Sequence, residues 1–294
     1  MVAEATGRAL EGRVAVVTGA SRSIGKGIAL ELGAAGATVY VTGRSVDPGG
    51  RLPGTVAETA GAVTEAGGIG VPVRCDHGDD SQVTALFDRI GAEYGRLDLL
   101  VNNVFNTPRY AHYLGLPFWE VPITAWDDVV GIGSRSHYVA AALGVPLMLG
   151  ANGGLIVNVS SPGAVRYMHN VVYGVGKAAV DKMTADMAYE LRERAVSVVS
   201  VWPGLVRNEM LSLIPPGPDG RQVITLPGEG EFDVGQAETP RFTGRAVVAL
   251  ASDPDVAARS GRAFPVADLA DDYGFTDTDG RVPRTPLPEE DRHP

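Results

Sequence analysis

The sequence predicts an α/β fold: a parallel sheet of about seven strands, doubly wound with helices on both faces, in a single domain. Three observations predict it. Short apolar runs of four to six residues recur along the chain, helix-compatible segments lie between them, and a glycine-rich turn follows the first run directly. Strands alternating with helices need crossover connections, which make the strands parallel and bury both faces of the sheet. Because such crossovers are right-handed, the open Rossmann-type sheet is the economical arrangement.

The first strand is read over residues 14–17. It is followed by TGASRSIGKG and by a helix in which Ile24, Ile28 and Leu32 repeat every fourth residue. Further strands are read over 38–41, 71–75, 97–101, 155–159 and 196–201, with a weaker one, interrupted by Pro265, over 263–266. Helices are expected over 56–66, 81–94, 126–143 and 172–194. The uncharged stretch 139–159 is long enough to imitate a membrane span, but Pro146 and the turn residues Asn152, Gly153 and Gly154 divide it into helix end, turn and buried strand. Residues 12–270 make the domain, 1–11 an N-terminal extension, and 271–294 a polar, acidic, proline-rich tail that is exposed or wraps the surface. Within the domain, residues 209–240 are rich in Pro and Gly yet carry Ile214, Val223, Ile224, Leu226 and Phe232. That is the composition of a long loop with an apolar face, suited to closing over a substrate.

A chain of 294 residues with 45% hydrophobic and 20% charged residues can bury a sizeable core. Its net charge of −10 opposes nucleic acid and anionic membrane surfaces, which leaves small-molecule chemistry. Cys75, the single cysteine, excludes an intramolecular disulfide, and the five histidines show no metal-ligand spacing. The DTDG at 277–280 offers two carboxylates but has Phe275 where a preceding ligand would stand, so no metal is expected. The opening MVAEATGRALEGR carries acids and lacks the apolar core of an export signal, so a cytoplasmic location is expected. For the same reason the glycosylation pattern Asn158, Val159, Ser160 is set aside.

A glycine-rich turn between a first strand and its helix can bring backbone N–H groups against a pyrophosphate. Here the candidates are Gly19, Ser21, Arg22, Ser23, Ile24 and Gly25. After the second strand the residues are Val41, Thr42, Gly43 and Arg44, with no carboxylate to receive adenosine ribose hydroxyls. Arg44 and Arg22 can pair with a 2′-phosphate instead, which favours NADP(H) over NAD(H).

Tyr173 and Lys177 in YGVGK share one face of a helix, and Ser160 and Ser161 end the apolar run GLIVNVSS. A phenol with an unperturbed pKa near ~10 is a poor acid or base at neutral pH, and a neighbouring ammonium favours its ionised form. Tyr173 is therefore the candidate proton donor and acceptor, with Lys177 as the ammonium and Ser161 hydrogen-bonding the substrate oxygen.

Together TGASRSIG, NNVF, the strand-end serines and YGVGK, in this order over about residues 12–268, resemble the short-chain dehydrogenases/reductases. The resemblance implies a catalytic set of Ser161, Tyr173 and Lys177, with Lys177 also holding the nicotinamide ribose. It places Asp76, with His77 beside it, at the adenine, Asn103 against the cofactor and Asn102 in a structural role. It also places Pro203, Gly204, Val206 and Asn208 near the nicotinamide and phosphates. Three departures stand out: Ser23 replaces the middle glycine of the turn, Val104 and Phe105 replace a small Ala and Gly, and Gly133 stands where the family has an asparagine that holds a relay water. Within the family, ATVYVTGR, FWEVPITAWDD, GLIVNVSSPGAVRYMHNVVYGVGKAAVDK and DLADDYGFTDTDGR are similar to the type called dehydrogenase/reductase SDR family member 1, which also lacks the relay asparagine.

The resemblance implies an NADP-dependent oxidoreductase acting on a hydrophobic carbonyl or secondary alcohol such as a ketone, quinone or steroid, and a homodimer or homotetramer. A dinucleotide-binding sensor or scaffold with little turnover is the alternative, fed by Ser23 and Gly133. Residues 104–126 hold six of the chain's 19 aromatics, Phe105, Tyr110, Tyr113, Phe118, Trp119 and Trp126, which suit an apolar pocket, ordinary core or a subunit contact.

Overall fold

In the computed structural model, which describes residues 8–49, 52–105, 111–151, 153–226 and 230–284, strands and helices alternate from the start. They are β1 (Val14–Val17), α1 (Ser23–Ala34), β2 (Thr38–Gly43), α2 (Val56–Glu65), β3 (Ile69–Arg74), α3 (Asp80–Tyr94) and β4 (Leu99–Asn102). A π-helical segment, Asp127–Arg135, then runs directly into α4 (Ser136–Gly150), followed by β5 (Gly154–Val159), α5 (Val171–Leu191) and β6 (Val196–Trp202). A hairpin of β7 (Val223–Leu226) and β8 (Gly230–Asp233), then α6 (Pro240–Ser252), β9 (Ala263–Pro265) and α7 (Val266–Tyr273) complete the order. Tyr110, Asn152 and residues 1–7, 227–229 and 285–294 of the sequence reading lie outside the described residues.

The main sheet has seven strands in the order β3-β2-β1-β4-β5-β6-β9, every pair parallel. Strand order reverses between β1 and β4, and at such a point the loops from the carboxyl ends of the strands diverge and leave a crevice. Side chains alternate between two cores. Ala15, Val17, Val39 and Val41 meet Ile28, Leu32, Phe242 and Leu250 on one face, while Val14, Val16 and Tyr40 meet Phe87, Ile90 and Met148 on the other.

Several elements depart from the sequence reading. The helix expected to stop at 143 continues through Pro146 to Gly150, because packing holds the last turns: Met148 is fully buried and Gly144 sits against Phe87 and Leu97. Two helices were missed, α6 and α7. The first carries a readable signal in Thr239 followed by Pro240 at the first helical position, with Phe242, Ala246, Val247 and Leu250 on its buried face. The 209–240 stretch contains its own two-stranded hairpin. Of the extension, Leu10 is buried and its N–H donates to Ala35 O at 2.9 Å. Of the tail, Asp277 is buried and accepts from the Thr239 N–H at 2.7 Å and from its hydroxyl.

Helices α1 and α6 cross at backbone contact. A Cβ added at Gly27 would fall on the Pro240 carbonyl group, and one at Gly244 would lie 2.6 Å from Gly27 O. A glycine at each position lets the helix that opens with the phosphate-type turn meet the helix that closes the 209–240 loop. Gly27→Ala is expected to destabilise the protein by about 1–3 kcal/mol through overpacking; an unchanged urea midpoint would contradict so close a crossing.

Candidate active site

The turns leaving the carboxyl ends of the strands line a cavity of about 450 Å³. Its wall includes Gly19 and residues 21–25 after β1, Arg44 after β2, Asp76 and His77 after β3, Asn103 and Phe105 after β4, Ser161 after β5, and Pro203, Gly204, Val206 and Asn208 after β6. Tyr173 and Lys177 enter it from α5. A larger cleft of about 700 Å³ lies at the opposite ends of the strands, where the carboxylate of Asp98 is already taken by the Val14 N–H and by Arg13 and Arg96.

Ser161, Tyr173 and Lys177 are brought together. Asn170 caps α5 by accepting from the Tyr173 N–H at 3.0 Å, which starts the helix two residues before the tyrosine. The Tyr173 hydroxyl donates to Ser161 Oγ at 2.9 Å, and Ser161 Oγ also accepts from the Gly163 N–H at 2.9 Å. One turn along, Lys177 Nζ donates to Val159 O at 3.1 Å. Burial pushes the Lys177 ammonium down to about 8, with the Asp181 carboxylate pulling the other way. Asp181 is itself raised by burial, although Ser200 and the Trp202 indole donate to it at 2.6 and 3.0 Å.

The glycine turn is held by its own neighbours. Gly19 has φ +66°, in the left-handed region that favours glycine. Asn103 Nδ2 donates to Thr18 O at 3.0 Å and to Gly19 O at 3.2 Å, so this side chain braces the turn while lining the cavity. A Cβ at Gly25 would lie 2.5 Å from both Asn103 Nδ2 and Gly19 O. Ser23 takes φ +50°, so the serine in the middle-glycine position keeps the glycine-like backbone against its own preference. Its N–H donates to Glu209 Oε1 at 3.1 Å. The start of α1 thus already receives an anion, and the donor set fits a pyrophosphate.

The other candidate residues divide by what they touch. Arg22 is engaged with the 45–54 segment, donating to Ser45 Oγ at 3.0 Å, Gly54 O at 2.9 Å and Pro53 O at 3.0 Å. Arg44 is half-exposed and meets Asp76 only at 3.9 Å, which leaves it able to turn toward a ligand phosphate. His77 is buried, with Nε2 2.7 Å from Thr42 Oγ1, and so supports the sheet rim. Asn102 is fully buried and donates to Asn158 Oδ1 at 3.0 Å and to His137 O at 3.3 Å. The Asn208 carboxamide oxygen accepts from the N–H groups of Met210 and Leu211, both at 3.0 Å, so it caps a turn of the loop. Gly204 N donates to the buried Glu238 at 2.9 Å, and Val206 bridges Glu238. Ser134 Oγ, beside Gly133, donates to Gly176 O at 2.9 Å.

One residue escaped the sequence reading. Glu209 was not singled out, because nothing local marks a carboxylate that reaches a turn 186 residues away. The aromatic-rich segment contributes Phe105 to the cavity, whereas Phe118, Trp119 and Trp126 are exposed at 61%, 72% and 50% and Tyr113 donates to Asp128.

A family model described as short chain dehydrogenase matches residues 13–218. The chain is 47% identical over 274 residues to dehydrogenase/reductase SDR family member 1 of Mus musculus and 46% identical over 276 residues to that of Homo sapiens, covering 92% of this chain and 85% of the relative in both cases. Among solved structures, a metagenomic short-chain oxidoreductase in complex with NADP superposes with TM-score 0.65 at 27% identity, over 84% of this chain and 94% of that one. Among the described residues no helix is long and apolar enough to cross a membrane.

Burial holds two histidines neutral: His77 is pushed down to about 4 and His137 to about 3, the latter also by the Lys177 ammonium. With unfolded values near ~6.5, the unfolded chain binds more protons than the folded one below that pH. Both contributions are therefore fully present above ~6.5 and are lost as pH falls toward 4 and 3. Urea unfolding at pH 7 and pH 5 is expected to give a smaller loss of stability for His137→Gln than for the parent chain; equal losses would remove His137 from the acid transition.

Proposed function

The chain belongs to the short-chain dehydrogenase family, and from that premise we propose that it moves hydride between NADP(H) and a hydrophobic carbonyl or secondary alcohol, with Tyr173 as proton donor and acceptor. The observation that carries this reading is the 2.9 Å hydrogen bond from Tyr173 to Ser161 on the cavity wall, with Lys177 one turn away. A bound nicotinamide dinucleotide supplies the hydride. In reduction, a substrate oxygen lying between the two hydroxyls takes the Tyr173 proton as charge builds on it, while Ser161 donates to the same oxygen. The Lys177 ammonium stabilises the phenolate left behind.

The NADP preference rests on Arg44, since no acid follows β2 and Arg22 is engaged elsewhere; the NADP bound by the metagenomic relative agrees with it. Phe105, Leu114, Met210, Leu211 and Ile224 give the cavity an apolar wall, which supports a ketone, quinone or steroid-like substrate. Exposed Tyr138 on α4 and Val171, Val175 and Tyr189 on α5 support a homodimer or homotetramer built on these helices.

The reading is tested by titrating the protein with NADPH and NADH through nicotinamide fluorescence, then following NADPH oxidation with a panel of ketones, quinones and steroids. Tyr173→Phe is expected to keep NADPH binding and lose roughly 10²–10⁴-fold in kcat. Full activity of that variant toward every substrate found would end the proton-transfer role. Glu209 gives a separate expectation, because its carboxylate holds the N–H that a pyrophosphate needs. Glu209→Gln is expected to tighten NADPH binding by about two- to tenfold, with the gain shrinking at high salt; unaltered or weaker binding would mean that the carboxylate does not compete.

A further inference from the structure

Gly133 and Phe105 are two of the three departures from the family pattern, and in the folded chain they are one contact. A Cβ built at Gly133 would lie 3.0 Å from Phe105 Cδ2 and 3.3 Å from Cε2, so the ring crowds the start of any side chain at position 133. Gly133 belongs to the π-helical segment, and wider helical turns of this kind recur where a functional site needs a displaced backbone. The same ring faces Lys177 Nζ at 5.1 Å from its centroid. It meets the Tyr173 ring edge-on, with centroids 6.0 Å apart and planes at 89°. Phe105 therefore touches both members of the pair that moves the proton, from β4's carboxyl end, and fills the space beside them.

We propose that Phe105 is a positioning residue for Lys177, its ring acting as a cation–π partner of the buried ammonium in the space vacated by the relay side chain at position 133. The inference rests on reading Tyr173 and Lys177 as the proton-transfer pair. An ammonium has three donors, and the one hydrogen bond that Lys177 Nζ makes among the described residues goes to Val159 O. The negative face of an aromatic ring is a suitable partner for a desolvated cation. The other titratable groups around it act in both directions: Asp181, one turn on in α5, favours the ammonium, while the neutral imidazole of buried His137 from α4 neither repels nor neutralises it at pH 7. Burial without the ring would push the ammonium further toward its neutral form, since removing a cation from water disfavours its charge. The two departures then form one exchange, a water-holding side chain for a dry aromatic face. A side chain at 133 would have to displace the Phe105 ring.

The chain has three lysines, Lys26, Lys177 and Lys182, so lysine labelled with ¹³C at Cε gives three NMR signals, assigned with Lys26→Arg and Lys182→Arg. The cofactor-free protein is titrated and the Lys177 midpoint read directly. In Phe105→Leu, which keeps apolar bulk and removes the ring, the midpoint is expected to fall by up to about one pH unit. Phe105→Tyr, which keeps the ring, is expected to restore it. Gly133→Asn alone is expected to shift the Lys177 signal and lower the unfolding midpoint, and the double variant Phe105→Gly, Gly133→Asn to recover both, giving a measurable coupling between the two positions. A Lys177 midpoint unmoved in a folded Phe105→Leu protein, or additive effects of the two substitutions, would overturn the proposal. The titration needs neither substrate nor cofactor, so its failure is distinct from the result for Tyr173→Phe, which judges the underlying reading.

Discussion

A buried ammonium is the constraint around which this site is organised. Lys177 sits under the carboxyl-terminal rim of the sheet beside the Tyr173 phenol, where desolvation disfavours its charge. The surroundings answer in layers. Val159, the last residue of β5, gives its carbonyl to the ammonium; Asp181 lies one turn further along the same helix, held in turn by Ser200 and Trp202 of β6; the Phe105 ring closes the β4 side. Groups from β4, β5 and α5 thus surround a single positive charge, with β6 supporting Asp181. The doubly wound topology allows this because it brings the carboxyl ends of β4, β5 and β6 side by side.

In the other half of the sheet Gly19, Gly25 and the Asn103 side chain interlock closely, so the turn after β1 is braced by its own neighbours. The halves are also joined at a distance. The backbone crossing of α1 and α6, at Gly27 and Gly244, fixes the helix behind the anion turn to the end of the 209–240 loop. Glu238 and Asp277 anchor the same end, one accepting from Gly204 and Thr243 and the other from Thr239. Glu209, at the beginning of that loop, reaches back to Ser23. Both ends of the loop are therefore tied to residues that line the cavity.

The departures from the family pattern are not independent losses. Ser23 carries a backbone conformation that favours glycine, and its N–H is capped by an internal carboxylate. Gly133 lacks a side chain, and a Cβ there would crowd the Phe105 ring at 3.0 Å. Position by position, each looks like erosion of a working motif, but in space each is matched by a compensating residue.

Sequence alone determined what depends on short-range pattern. The period of the apolar runs placed all seven strands of the sheet within a few residues, the turn after β1 marked an anion site, and the four-residue spacing of Tyr173 and Lys177 put both on one face of α5, because these are consequences of helix and strand geometry. The helix expected to end at 143 runs on through Pro146 because burial of Met148 outweighs local propensity, whereas α6 carries a local start signal at Thr239 and Pro240 that the reading passed over. Only the tertiary structure decided that Arg22 is engaged while Arg44 is available, that Asn103 braces a turn, that Phe118 and Trp119 face outward, and that Glu209 and Phe105 reach partners far away in the chain. Those facts rest on contacts between residues distant in sequence, and no periodicity encodes them: a side chain's partner across the sheet is fixed by how strands order and helices cross, which the chain settles only when both cores close.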